Sequence, residues 1–526
     1  MIAKGPCKRG TNLRLNISLT AIYFLSKPSK FQIIKHMKIA RIRALMVPSI
    51  LSISCLIFIS HLQGDVPAWR GNHNGTYEVQ SAPTDWANNQ LFAVPLESKS
   101  NGTPILVGKR LILTAEPDKL ICVDSRSGAV LWERQNDLYT LRGVSDTKKA
   151  ELETHRADIR NFTQQSGRLR TEIRRLEKAI EKNAENTVAA ESKVQKEAER
   201  SALEEKIKEL RSQPFYKDYD MPPAHMTNGY TSYSPHFDGK RIYAQFGFGV
   251  VVAYDLDGNR LWTSFMEHPD HYWGGSTMPQ VVDDKLIIRF DDYIALDPAT
   301  GKKLWNTDSE VVFGTPVPFE INGEWFLFTP RGEVLRNKDG EVLQDDLVKI
   351  NRDRAWGIFN TPALVNGVIY ASNGMNSEEG HVYAYKVPNT VRSLERNGLE
   401  LLWHTDVAQE RYYSSPLVYD GLIYVVGHES TVTVLEAESG KIVYSHKILG
   451  VSGTAYPTVV EADGKIYQST EDGDVVIYKS GRTFEEISRH NVGPFRSTPI
   501  FSGERAYVRT YEILMAIGGK ESVRSL

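Results

Sequence analysis

Ser414-Ser415-Pro416-Leu417-Val418-Tyr419-Asp420-Gly421-Leu422-Ile423-Tyr424-Val425 carries the pattern that decides the fold. A small polar pair leads into proline, a short apolar strand follows, Asp-Gly turns the chain, and a second apolar strand returns. The apolar runs have the short length and residue types of strands with a buried face. Asp and Gly supply the positive φ and the side-chain-to-backbone bonds that a tight turn needs. The unit recurs at Pro104, Pro235, Pro279, Pro316, Pro362, Pro416, Pro457 and Pro499, with successive gaps of 131, 44, 37, 46, 54, 41 and 42 residues. All but the first gap suit one four-stranded sheet, at roughly 40–45 residues per repeat.

The second half of the unit repeats as well. Val123-Asp124-Ser125-Arg126-Ser127-Gly128 leads to Trp132, Tyr254-Asp255-Leu256-Asp257-Gly258 to Trp262, and Leu296-Asp297-Pro298-Ala299-Thr300-Gly301 to Trp305, with looser copies ending at Trp403 and Tyr444. The large aromatic can fill the wedge between neighbouring sheets. One unit cannot bury both of its faces, so units must stack, and a ring leaves only short, protected edges. The expected fold is therefore all-β, an eight-bladed β-propeller. Its eighth unit stops at Met515-Ala516-Ile517-Gly518-Gly519 without a fourth strand. Asn89-Gln90-Leu91-Phe92-Ala93-Val94-Pro95-Leu96 is expected to supply it, with Phe92 in the place that Trp holds elsewhere.

The long first gap holds an insertion. From about residue 145 to 213 the chain is rich in Glu, Lys, Arg and Ala, and Leu152, Ile159, Phe162, Leu169, Ile173, Leu176 and Ile180 fall largely on a 3-4 spacing. Val194, Ala198, Leu203, Ile207 and Leu210 resume it after a break at 183–187, which predicts an antiparallel coiled-coil hairpin of helices near 146–182 and 188–212. The expected divisions are a leader over 1–64, the closing strand and first blade over 65–143, the hairpin over 144–213, and the remaining blades over 214–526.

Lys35, Lys38, Arg41 and Arg43 precede an apolar run over 44–59, and small or polar residues follow at Ser60, Gln63 and Gly64. That order is a secretory signal, with Met37 as its natural start, and the run is shorter than the roughly 20 residues a membrane helix needs. No integral span is expected after cleavage. Acylation at Cys55 is disfavoured, because Ser52-Ile53-Ser54 lacks the Leu that normally stands three places before such a Cys. The expected location is the periplasm, the cell envelope or outside the cell. Residues 1–64 hold ten Lys or Arg and no acid, so the rest carries 53 basic against 65 acidic residues, a poor footprint for nucleic acid. With three Cys in the chain and only Cys122 beyond the leader, a disulfide or metal-thiolate scaffold is excluded.

The repeat resembles the PQQ-like repeat of quinoprotein-type propellers and of BamB-like assembly factors, over roughly residues 66–526 apart from the insertion. The leader Ala68-Trp69-Arg70-Gly71-Asn72-His73-Asn74-Gly75 resembles the opening of exported planctomycete-type members. For the dehydrogenases the resemblance implies PQQ, a Ca²⁺ held by carboxylate and amide oxygens, an Asp base and often a vicinal disulfide. Cys122 alone cannot form that disulfide, there is no Cys-x-x-Cys-His haem site, and no Glu/Asn/Asp set matches the metal site. Asp124, Asp255 and Asp297 recur at one repeat position and are expected to cap turns.

The segments leading into the blades hold the candidate ligand residues: His225, Tyr230 and Tyr233; His268, His271 and Trp273; Arg354 and Trp356; Arg411, Tyr412 and Tyr413; and Arg496. Equivalent loops of a propeller converge on one face. Arg354, Arg411 and Arg496 could then grip an acidic ligand by forked bonds while Trp273, Trp356, His271 and Tyr412 stack a ring or sugar. His225, His268 and His271 are weak metal candidates. The expected function is a non-catalytic interaction scaffold with no cofactor and no catalytic residue, holding protein partners through a propeller face or the hairpin, or dimerising through the hairpin. The alternatives are a divergent PQQ- and Ca²⁺-dependent dehydrogenase and a carbohydrate-binding propeller.

Overall fold

The computed structural model describes residues 64–518 apart from 215–217, 220, 223–227, 268, 270–272, 311–312 and 349–358. The expected signal, Met37 and Cys55 lie outside the described residues, as do His225, His268, His271, Arg354 and Trp356. Among the described residues no helix is long and apolar enough to cross a membrane.

Eight four-stranded antiparallel sheets follow one another along the chain, over 105–135, 236–265, 280–307, 317–344, 363–407, 417–447, 460–491 and 500–518. The eighth takes its fourth strand from the start of the chain. Gln90–Pro95 pairs with Ile513–Gly518, with Phe92 opposite Ala516 and Val94 opposite Leu514. The seventh sheet gains a fifth, parallel strand, Thr76–Tyr77, beside Val460–Ala462.

One device joins neighbouring sheets. The indole N–H of Trp132 donates to the Leu256 carbonyl (3.1 Å), Trp262 to Pro298 (3.0 Å), Trp305 to Asn337 (2.9 Å) and Trp403 to Ala437 (3.1 Å). Each ring lies on the glycine turn of the following sheet, so a Cβ on Gly258 would come within 2.7 Å of Trp132 and one on Gly440 within 2.5 Å of Trp403. Phe92 repeats the arrangement from the borrowed strand of the eighth sheet, against Gly128 of the first (2.9 Å). Asp124, Asp255 and Asp297 do cap turns. Each accepts backbone N–H donors from the next few residues, and these bonds help hold their carboxyls below the usual range.

The insertion is a helical hairpin, Asp146–Lys182 and Thr187–Arg211, capped by the Ser145 and Asn186 side chains. Leu152, Ile159 and Ile173 are buried. The seam expected at Val194 and Ala198 is not formed: both are exposed, Val194 at 65%. Counting back from Leu203 by threes and fours reaches Arg200, Lys196 and Lys193 instead, and Lys193 and Lys196 bridge to Glu177 and Glu172 of the first helix. Ion pairs therefore join the outer part of the hairpin beside the buried Ile173 and Ala189, and that charged share is salt-sensitive.

Asp118, 5% exposed, shows what burial costs at the base of the insertion. Its Oδ1 has no hydrogen-bond partner among the described residues. Burial, then the nearby Asp137, push its carboxyl from 3.8 up to about 6. A raised folded value means that the ionised form burdens the fold above pH 6, and that the burden fades as pH falls toward 4. Asp118→Asn is therefore expected to stabilise the protein by about 1–2 kcal/mol at pH 8 and by nothing near pH 4. Denaturation midpoints at the two pH values test this, and an equal effect at both would refute it.

Candidate functional site: a cavity ringed by equivalent positions

Just before the first strand of seven of the eight sheets stands a residue whose backbone N–H reaches across to the next sheet. Thr103 donates to the Ser234 hydroxyl (2.8 Å), Met278 to Thr315 (2.9 Å), Thr315 to Thr361 (2.8 Å), Thr361 to Ser415 (2.9 Å) and Ser415 to Thr458 (3.4 Å). Ser234 donates to the Met278 sulfur (2.8 Å). Thr498 of the eighth sheet donates back to the Thr103 hydroxyl of the first (2.8 Å). The polar residue before proline thus has a purpose: its hydroxyl satisfies a buried donor that would otherwise be orphaned. The series also corrects one repeat anchor. Thr458 occupies the hydroxyl position in the seventh sheet, so Val459 stands where the others have proline, and Pro457 lies two residues too early.

Two residues ahead of these positions stand Asn101, Ser232, Ser276, Phe313, Phe359, Tyr413, Tyr456 and Arg496. All eight line one cavity of about 500 Å³. Three of these eight, Asn101, Ser232 and Ser276, are small and polar. Four are aromatic: Phe313 stacks on Phe359 (5.8 Å between centroids), Phe359 packs on Tyr413 (4.6 Å) and Tyr413 on Tyr456 (4.3 Å). The Arg496 guanidinium closes the row 3.7 Å over the Tyr456 ring and grips Glu471 Oε2 (2.6 and 3.0 Å). Burial, and then the adjoining Tyr413, push the Tyr456 hydroxyl up to about 12, so it stays protonated.

Of the expected ligand residues, Trp273, Arg411 and Arg496 line this cavity together. Arg411 donates from Nη1 to the Tyr413 hydroxyl (3.2 Å), and its main chain is tied to His428 (2.8 Å). Behind it lies Glu410. Burial works to raise its carboxyl, but bonds from His428, Thr431 and the Glu429 N–H outweigh that and hold it below the ordinary value. Tyr412 does not belong to the site. It is 1% exposed, packs between the fifth and sixth sheets, and spends its hydroxyl on the Ala408 carbonyl (2.8 Å). Adjacent residues of extended chain face opposite ways, so Tyr413 enters the cavity and Tyr412 cannot. Phe313, Phe359 and Tyr456 were not expected; their signal is the fixed offset from the Ser or Thr.

Residues 66–70, ahead of the first sheet, reach across to several sheets. Val66 bridges to Leu106, the Pro67 carbonyl accepts from Phe237 (2.8 Å), Trp69 lines the cavity and donates to Thr498 Oγ1 (3.2 Å), and Arg70 donates to the Pro416 carbonyl (2.8 Å). Arg70 is wholly buried, and burial drags its guanidinium down to about 10.

The sequence profile described as outer membrane protein assembly factor BamB matches residues 224–317, 247–346 and 294–517. Outer membrane protein assembly factor BamB of Yersinia pestis is 23% identical over 275 residues, which cover 48% of this chain and 64% of that protein's length. The crystal structure of BamB from Moraxella catarrhalis superposes with a TM-score of 0.51 at 11% identity, covering 81% of this chain and 99% of that one. A quinohemoprotein alcohol dehydrogenase from Pseudomonas putida gives a TM-score of 0.48 at 10% identity, over 87% of this chain and 80% of that one. The profile takes in more than half of the chain, and the protein accordingly belongs to the outer membrane protein assembly factor BamB family of PQQ-like repeat β-propellers.

Proposed function

We propose that the eight sheets are the blades of one closed ring, and that the protein is an exported, non-catalytic interaction scaffold of the cell envelope. The hydroxyl series returning from Thr498 to Thr103 and the shared eighth sheet support the closed ring. One observation carries the function: the cavity wall is built for contact, with four packed aromatic rings, two guanidiniums and a border of hydroxyls and amides. Such a wall stacks and hydrogen-bonds an inserted segment. The name of the Yersinia relative, an outer membrane protein assembly factor, agrees with a partner at the envelope. The hairpin offers a second contact surface for a partner or a second copy, with Val188 75% and Val194 65% exposed.

The quinone alternative fits the lining poorly. When bound, Ca²⁺ and PQQ supply hydride-accepting chemistry, and the metal needs a cage of oxygen ligands that includes carboxylates. The described lining offers Asn101, Asn228 and hydroxyls but no carboxylate. Photo-crosslinkers placed at Trp273 and Tyr413 in living cells are expected to trap an envelope protein of defined mass. Tyr413→Ala with Tyr456→Ala should weaken that complex at least tenfold while the fold persists. Turnover of an alcohol or aldose after reconstitution with PQQ and Ca²⁺ would overturn the proposal. A bare glycan captured in place of a protein would favour the carbohydrate-binding reading, which the aromatic wall also suits.

A further inference from the structure

Apart from the cavity lining, the fifth sheet brings two imidazoles and a carboxylate to one point. Gly380–Lys386 and Glu400–Val407 pair antiparallel, with Tyr383 opposite His404 and His381 opposite Asp406. His404 and Asp406 are two residues apart on a strand and share a face, and His381 joins them from the neighbouring strand. The opposite face is committed to the sixth sheet, where Trp403 bonds the Ala437 carbonyl and Thr405 the Gly440 carbonyl (2.8 Å). Nothing in the cavity or the ring of hydroxyls uses the three residues.

Their ligand atoms form a near-regular triangle. His381 Nδ1 lies 2.9 Å from Asp406 Oδ1, His404 Nε2 lies 3.3 Å from the same oxygen, and the two ring nitrogens are 3.3 Å apart. Three ligands at about 2.0–2.2 Å from one cation stand about 3.0–3.4 Å from each other in octahedral or tetrahedral geometry. The observed triangle matches that spacing without any movement. Tyr383, buried beneath, stacks on the His404 ring at 4.7 Å and an interplanar angle of 20°, which fixes the direction of that imidazole. Both histidines and the aspartate retain access to solvent, at 26%, 36% and 53%.

We propose that His381, His404 and Asp406 bind one divalent first-row transition cation, with Zn²⁺ as the representative. Two imidazoles and one carboxylate are a borderline donor set that favours such ions over Ca²⁺ or Mg²⁺, which demand mostly oxygen. Three protein ligands leave at least one coordination position for water. The competing arrangement is a hydrogen-bonded trio in which each imidazole donates its proton to Asp406. Metal uptake separates the two, because it must displace both protons.

The test uses the full chain without a polyhistidine tag, stripped by a chelator, with Zn²⁺ titrated against a chromophoric competitor. One equivalent is expected to bind, and His404→Ala and Asp406→Asn should each weaken it about tenfold or more. His446→Ala, a histidine stacked on Phe484 away from this trio, should leave the affinity unchanged. Co²⁺ added to the unsubstituted protein should give a visible band more intense than that of the aqua ion. This readout needs no variant, and circular dichroism confirms the fold of each variant. Failure to take up one equivalent in the micromolar range, or an affinity in the His404 and Asp406 variants equal to that of the unsubstituted protein, overturns the site.

Discussion

A chain lacking residues 86–98 is expected to lose its cooperative unfolding transition and to expose more than the eighth sheet. The deletion removes Gln90–Pro95, leaving Ile513–Gly518 as an open edge of six residues with unpaired backbone groups. It strips Leu91, Phe92, Val94 and Leu96 from the cluster that also holds Leu113, Val123, Val508 and Met515. It takes away Trp86, 2% exposed and stacked on Tyr467 of the seventh sheet at 5.9 Å. A buried Trp alone is worth about 3–5 kcal/mol, against a total stability of about 5–15 kcal/mol. Because Phe92 also fills the turn of the first sheet, protection from hydrogen exchange should fall in the first, seventh and eighth sheets together. Loss confined to 500–518 with an unchanged melting midpoint would contradict the account.

The second large effect is expected from one added methyl group. A Cβ at Gly314 would lie 2.0 Å from the Asn360 carbonyl oxygen and 2.5 Å from its carbon. Both are backbone atoms, so no side chain can swing aside. Moving the segment would strain the bond from Thr315 N–H to Thr361 (2.8 Å) and the one from the Thr277 hydroxyl to the Gly314 carbonyl (2.9 Å). Gly314→Ala should therefore cost about 3 kcal/mol or more in denaturant titrations. Gly323→Ala is the control. Its Cβ would meet nothing within 4 Å, and its φ of +86° should cost only about 1–2 kcal/mol. Equal losses in the two variants would show that crowding at Gly314 is not the cause.

The fold was legible wherever the signal was periodic. Pro416 and its counterparts marked the sheets, Trp132, Trp262 and Trp305 marked the joints, and Phe92 could be recognised as a surrogate because its strand lacked a partner of its own. Tyr456-Pro457-Thr458 misled because a proline stands within two residues of the required position while the true anchor is Val459. In the hairpin, Val194 and Ala198 fit an apolar pattern, yet the phase is set from Leu203 and puts lysines opposite the first helix. In the cavity, Trp273, Arg411 and Arg496 could be named from the sequence, but choosing Tyr412 over Tyr413 depends on which way one residue of extended chain faces. The cluster of His381, His404 and Asp406 depends on strand register across a long hairpin, which local spacing does not report.

The segment over 66–70 that touches Leu106, Phe237, Pro416 and Thr498 has a consequence for biosynthesis. It is made before any of these partners, and the last of them, Thr498, emerges 429 residues after Trp69. Trp69 and Arg70 must therefore wait for 429 and 346 further residues before finding their final seats. Contacts of such long sequence separation slow maturation and leave sticky surface available to wrong neighbours. A holding chaperone would be of most use to this molecule at its beginning, and release from it would coincide with delivery of the final strands.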